Sequence, residues 1–312
     1  MPLNIRPLPP LLQKIAVEQL HEDPERIEND LSILKEWITK QSHLNARTDD
    51  QFLIAFLRGC KYSLETAKHK IEQFYTLKSC IPEMWNNMNV EDPKLKKLIQ
   101  MGTTIRMPNP LNGDDGPVIT ISRSGLYEVG EYDITDVFKV KAMLLIIQML
   151  EDDNAVVSGC HEIIDMSKAS MGHFLQMTPA LMKKMSYFAD EAIPIRQKGA
   201  HFINTPVGFE QIFNLFRGFL SDKIKERFFI HGSNMESLYE QIPKKYLPVE
   251  YGGENGSYDD LSKELEQKFY SYRDYFLEEE KYVTDESKRV GGAVNVENIF
   301  GSEGSFRKLN VD

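Results

Sequence analysis

Near residue 100 the hydrophobic pattern changes its period, and this change constrains the fold more than any other feature. Before it, apolar residues recur three and four apart: Ile27, Leu31, Leu34 and Ile38; then Phe52, Leu53, Phe56 and Leu57; then Ala67, Ile71, Phe74, Tyr75 and Leu77. That spacing puts each set on one face of a helix. Asp23-Pro24, Thr48-Asp49 and Ser63 stand where helix-opening residues belong, and Pro82 ends the pattern. After residue 100, short β-branched runs alternate with helical stretches. Residues 103–106 and 118–121 read as strands joined by the turn-rich loop PNPLNGDDGP. Helices expected over 135–152, 179–190 and 207–219 alternate with short strands at 162–165, 199–204 and 228–230. Such alternation predicts an α/β fold with a mostly parallel sheet. A polar helix over 258–282 and an aperiodic, extended tail follow. The expected organisation is a small all-helical N-terminal domain (1–95), a sheet domain flanked by helices (96–257), and a C-terminal helix with tail (258–312).

Charge and cysteine usage narrow the function. A net charge of −10 gives no general attraction to nucleic acid or to an anionic membrane, so any basic patch is local and informative. The longest apolar run, 142–150, is broken by Gln148 and is too short to span a bilayer. The N-terminus lacks the pattern of a secretory signal. Cys60, Cys80 and Cys160 are widely spaced, which suggests reduced thiols and a cytoplasmic setting; without a Cys-x-x-Cys pair a structural zinc is not expected. Nucleophile-elbow, phosphate-loop and dinucleotide motifs are missing. His161-Glu162 begins like a zinc-protease motif, but Asp165 stands where the second histidine would be. His201 and His231 read as structural imidazoles within apolar strands. These features point away from an enzyme.

Two features carry positive information. In the segment 207–220, Phe209, Phe213, Phe216 and Leu220 share one helical face, widened by Ile212 and Phe219. Ordinary core packing would account for such a face; so would a lid over a ligand cavity, and Pro206, Gly208 and Gly218 supply hinge points for one. The second feature is charge. Residues 194–231 hold six basic residues against three acidic ones, in a chain that is acidic overall. A solvated face would explain them, but they bracket the Phe-rich helix, and Arg and Lys together suit phosphate oxygens.

Four stretches then carry a resemblance. They are 50–62 (DQFLIAFLRGCKY), Ile163-Ile164-Asp165-Met166, 219–227 (FLSDKIKER) with His231-Gly232, and 247–253 (LPVEYGG). In this order they resemble the CRAL-TRIO lipid-binding family, in particular its alpha-tocopherol transfer protein-like branch, with an insect-type FRKLN tail at 306–310. The resemblance implies a hydrophobic pocket under a helical lid, a bound hydrophobic ligand such as α-tocopherol rather than a cofactor, and transient peripheral contact with phosphoinositide-containing membranes. It places phosphoinositide-binding residues at Arg196, Lys198, Lys223 and Arg227, with Arg196 and Lys198 in exchanged order. The pocket falls on Phe138, Ala142, Leu145, Cys160, Ile164, Phe188, Ile193, Ile212, Phe213 and Phe216, and the lid on Phe209, Phe213, Phe216, Phe219 and Leu220. The implied function is intracellular lipid transfer. Retinoids, carotenoids and phospholipids stand as cargoes beside tocopherol, and a lipid-sensing regulatory module of the same fold is the alternative function.

Overall fold

The computed structural model describes residues 3–218 and 220–294, without the side chains of Ile212, Leu215 and Phe216. Phe219 and the tail from 295, with Phe300 and Phe306, therefore lie outside the described residues.

Helices α1 (Pro10–Leu20), α2 (Ile27–Lys40), α3 (Asp50–Gly59), α4 (Leu64–Cys80), α5 (Pro82–Trp85) and α6 (Pro93–Gln100) build the N-terminal region. The apolar face expected for each of α2, α3 and α4 is the face that is buried. Ser63 opens α4 by accepting from the Thr66 N–H. Asp23 does not open α2: its carboxylate accepts from the Glu25 N–H within a turn, and the helix begins at Ile27. α4 ends at Cys80, just before Pro82, and Pro82 then opens the short α5.

The sheet has five strands in the order β1 (Thr104–Arg106), β2 (Val118–Arg123), β3 (Cys160–Asp165), β4 (Gln197–Ile203) and β5 (Phe228–Gly232). β1 is antiparallel to β2, and the other three pairs are parallel. Each parallel crossover moves one place in the same direction, so right-handed connections put all of them on one face. These connections are α7 (Ile134–Glu151) and α8 (Asp153–Ser158), then α9 (Met171–Gln176) and α10 (Pro179–Glu191), then α11 (Phe209–Arg217) and α12 (Asp222–Lys225). Asp133 and Asp136 form a capping box at the start of α7.

Side chains alternate across the sheet. Ile105, Ile119, Ile121, Ile163 and Ile203 point to the back and form a separate core with Leu238, Leu247, Tyr251 and Tyr258. These partners come from α13 (Met235–Tyr239), the 247–253 motif and α14 (Tyr258–Ser271). The 258–282 stretch is two helices, α14 and α15 (Arg273–Glu279), broken at Tyr272.

The front of the sheet faces the N-terminal helices, and the main core runs through both. Phe188 of α10 stacks near Phe74 and Trp85, at 5.9 and 5.5 Å between ring centres. Phe269 and Phe276 of the C-terminal helices belong to this same core. Glu279 is fully buried and pairs with Arg47 and with Lys78 (2.9 Å), two cations that are also buried. The C-terminal helices therefore complete the helical region.

The back of the sheet also holds a histidine row. His161 Nδ1 is 3.1 Å from His201 Nε2, and His201 Nδ1 is 3.0 Å from His231 Nε2. His231 Nδ1 is 2.7 Å from the Ser237 hydroxyl, whose proton goes to the Asn234 carbonyl. Ser237 therefore accepts from His231, and that direction fixes every ring as the neutral Nδ1–H tautomer. A Cβ at Gly199 would sit 2.6 Å from His201 Nε2 and 2.8 Å from His161 Nδ1, so only glycine leaves the row intact.

Candidate functional site

Between the front of the sheet, α7, α10 and the end of α3 lies one cavity of about 970 Å³. Its size suits a small lipid. Of the pocket residues expected from the sequence, Phe138, Ala142, Leu145, Cys160, Phe188 and Ile193 line it. Ile164 and Phe213 are not in its described lining. The side chains of Ile212 and Phe216 lie outside the described residues.

Phe213 lies elsewhere for a packing reason. The α11 face is laid directly on strands β4 and β5: Phe209 and Phe213 stand 5.5 and 6.0 Å from Phe202, and Phe213 stands 5.7 Å from Phe228. Phe209 and Leu220 are buried. Gly208 holds a left-handed backbone (φ 88°) at the start of this helix, and nothing crowds Gly218 at its end. Val207 is fully exposed, and Met171 and Leu175 of α9 are 61% and 73% exposed. Phe174 and Phe209, close in sequence to these exposed residues, stand 6.0 Å apart.

All four expected phosphate-binding cations, Arg196, Lys198, Lys223 and Arg227, line the same cavity at one end. Lys61 and Lys70 from the helical region join them. None of the six forms an ion pair within 4 Å with a carboxylate among the described residues. Burial pushes the Lys198 ammonium below its usual range, and the charges of Arg196, Arg227 and Lys61 push it further. Lys70 is lowered by burial and by Lys223. Lys70 is tethered by the Asp190 and Ile193 carbonyls at 2.7 and 3.0 Å. The guanidinium of Arg196 donates to the Arg58 carbonyl (3.1 Å) and to the Val157 carbonyl. Arg227 donates to the Gln197 carbonyl at 2.5 Å. Arg196 and Arg227 thus also hold elements together, whereas Lys61, Lys198 and Lys223 present their charge to the cavity.

Local chain geometry delivers Lys61. Gly59 packs so close to the Pro194 carbonyl that a Cβ would collide with it. Lys61 and Tyr62 then turn the chain in left-handed conformations, φ 51° and 58°, which cost L-residues roughly 1–2 kcal/mol each. Tyr62 is held there by donating to Glu22 at 2.7 Å. Charge counting over 194–231 could not find Lys61 or Lys70, since both arrive from another part of the chain. The one signal was Lys61 standing within the FLRGCKY stretch.

The cavity offers no thiolate. Burial pushes the Cys160 thiol up to about 12 and Cys60 up to about 11. No three metal-ligating side chains converge among the described residues, and no described helix is long and apolar enough to cross a membrane.

A partly open cavity with mostly apolar walls, under a helix-capped and mostly parallel sheet and with cations clustered in its lining, has the build of a lipid-binding domain. The model of the CRAL/TRIO domain matches residues 110–253, and that of the Pinta-like UBA domain matches residues 23–95. Residues 110–253 are thus a CRAL/TRIO domain, a domain of lipid-binding and lipid-transfer proteins. It is similar to Clavesin-1 of Rattus norvegicus, with 29% identity over 255 residues, 80% of this chain and 70% of that one. It is equally similar to the alpha-tocopherol transfer protein-like protein of Homo sapiens, with 29% identity over 246 residues, 78% and 70% of the two chains. Its fold matches the crystal structure of Sfh5 with a TM-score of 0.50 at 12% identity, covering 85% of this chain and 98% of that one.

Proposed function

We propose that this protein is a non-enzymatic intracellular carrier that encloses one hydrophobic molecule and exchanges it at phosphoinositide-containing membranes. One observation carries this reading: the apolar cavity and the six unpaired cations are parts of a single space. Like charges held together with no carboxylate within ion-pair distance among the described residues are unfavourable unless an anion joins them, and phosphate oxygens suit mixed Arg and Lys donors. Met171, Leu175 and Val207 offer exposed apolar contacts to a bilayer beside the α11 lid. Enclosing about 400 Å² of cargo surface contributes about 10 kcal/mol relative to leaving it in water. A headgroup at the basic mouth favours release only if it binds the open state more tightly than the closed one.

The cargo is a tocopherol or another lipid of similar size. The raised thiols at Cys60 and Cys160 support carriage without chemistry. The test is transfer of a fluorescent tocopherol between phosphatidylcholine vesicles, with and without phosphatidylinositol bisphosphate in the acceptor. The expected result is faster delivery to phosphoinositide acceptors, with the cargo recovered chemically unchanged. Equal rates to both acceptors would remove the membrane part of the reading.

A further inference from the structure

The cavity wall holds an unmatched polar pair. Gln148 of α7 and Thr104 of β1 both line the cavity, are 7% and 4% exposed, and leave Nε2 and Oγ1 without a hydrogen-bond partner among the described residues. Buried donors in folded proteins are almost always satisfied, so such a pair calls for an occupant.

The fold brings the two together. β1 runs antiparallel to β2, and α7 is the crossover that returns against β2, so α7 and β1 run the same way. Their ends are clamped where Arg106 of β1 holds Asp152, just after α7, at 2.8 and 3.1 Å. Gln148 stands one helical turn before Asp152, and Thr104 stands two residues before Arg106 on the same strand face. Both side chains therefore sit in the cavity wall near the Arg106–Asp152 end of their elements.

The charge around them is balanced. Lys141, two turns earlier on α7, is paired with Glu162 of β3, which also accepts from the Ser122 hydroxyl at 2.9 Å. This end of the cavity has cations matched by carboxylates, in contrast to the mouth. A phosphate has no reason to come here. A saturated chain would leave Gln148 and Thr104 unsatisfied. A neutral oxygen can accept from the Gln148 amide and exchange a hydrogen bond with the Thr104 hydroxyl.

We infer that Gln148 and Thr104 form a polar subsite for the hydroxyl or carbonyl oxygen of a neutral lipid, so that the cargo is a lipid alcohol, aldehyde or ketone. This rests on the carrier reading and adds to it the polarity of the cargo and the direction in which it lies: oxygen against β1 and α7, hydrocarbon along Phe138, Phe188 and Ile193.

The test uses the full chain and two probes, geranylgeraniol and the hydrocarbon in which its CH₂OH is replaced by CH₃. Both are offered from phosphatidylcholine vesicles. The wild-type protein is expected to bind the alcohol about tenfold more tightly than the hydrocarbon. Gln148→Met and Thr104→Val are expected to reduce that ratio towards one. Equal wild-type affinities, a ratio unchanged in both variants, or displacement of both probes by phosphatidylcholine would overturn the subsite and leave the carrier reading standing. Failure to bind either probe or phosphatidylcholine would overturn both. The wild-type ratio decides the matter even if a variant does not fold.

Discussion

Arg47 and Lys78, buried among the N-terminal helices, converge on one carboxylate, Glu279, whereas the six cations at the cavity mouth have no carboxylate within 4 Å among the described residues. Arg58 follows the first pattern: its guanidinium meets the buried Glu22 at 2.8 Å. The two arrangements differ in what they do. A buried cation with its carboxylate and full hydrogen bonding fixes how helices sit together, and removing one partner strands the other. A cluster of like charges without counter-charge works against folding and persists where an anion arrives from outside.

The contrast breaks most visibly at Glu279. Glu279→Ala strands Arg47 and Lys78, and is expected to cost roughly 3–5 kcal/mol in chemical denaturation. A shift below 1 kcal/mol would remove the distinction between the two groups of charges. At the mouth the opposite is expected: Lys198→Gln with Lys223→Gln leaves the denaturation midpoint unchanged or raised. The same pair weakens binding to phosphoinositide vesicles by about 30-fold, taking about 1 kcal/mol per lysine. Vesicle flotation at two salt concentrations reads this, with a shallower salt dependence in the variant.

The histidine row sharpens the comparison through pH. Burial lowers His161 to about 4, with Lys198 adding to it, and lowers His201 to about 3, with His161 and His231 adding. The folded pKa values lie below the unfolded value of about 6.5. Between those limits the unfolded chain binds more protons, so stability is greatest above pH 6.5 and falls as pH drops towards 4. Denaturation midpoints between pH 7 and 5, above most carboxylate titration, read this. His201→Asn should flatten the slope; an equal slope in the variant would assign the pH dependence elsewhere. The smallest effect belongs to the exposed Lys40–Glu36 pair: Lys40→Ala should leave the midpoint where it is.

What was legible in the sequence follows from burial. α2 and α4 showed their period because each has a buried side and an exposed side, whereas α3 and the central strands, covered on both sides, read as short apolar runs. Asp-Pro dipeptides show the limit of local signals. Asp23-Pro24 makes only a turn, while Asp92-Pro93 opens α6, where Asp92 accepts from the N–H groups of Lys94 and Leu95 at 3.0 Å each. The difference is set by Leu95, Leu98 and Ile99, which α6 buries. α1 escaped notice because its buried residues, Leu12, Ala16 and Leu20, stand behind a proline-rich start. In the candidate site, four cations of the mouth lay within a local excess of six basic residues, and the family resemblance picked them out of it. Lys61 and Lys70 were not legible, because only the tertiary fold carries them there. Gln148 was legible only as an interruption of an apolar run, since its partner in the pair, Thr104, lies on a distant strand.

The Glu279 clamp also sets an order of events during synthesis. Arg47 and Lys78 leave the ribosome early, and their shared carboxylate follows 232 and 201 residues later. Helices α2 to α4 can form as soon as they emerge, but two cations cannot settle into their buried positions until α15 has been made. A nascent chain released before that point would hold its helical half in a loosened, cation-exposing state. The early helical region is thus among the last to be finished, and the quality of α15 decides whether α2 to α4 lock.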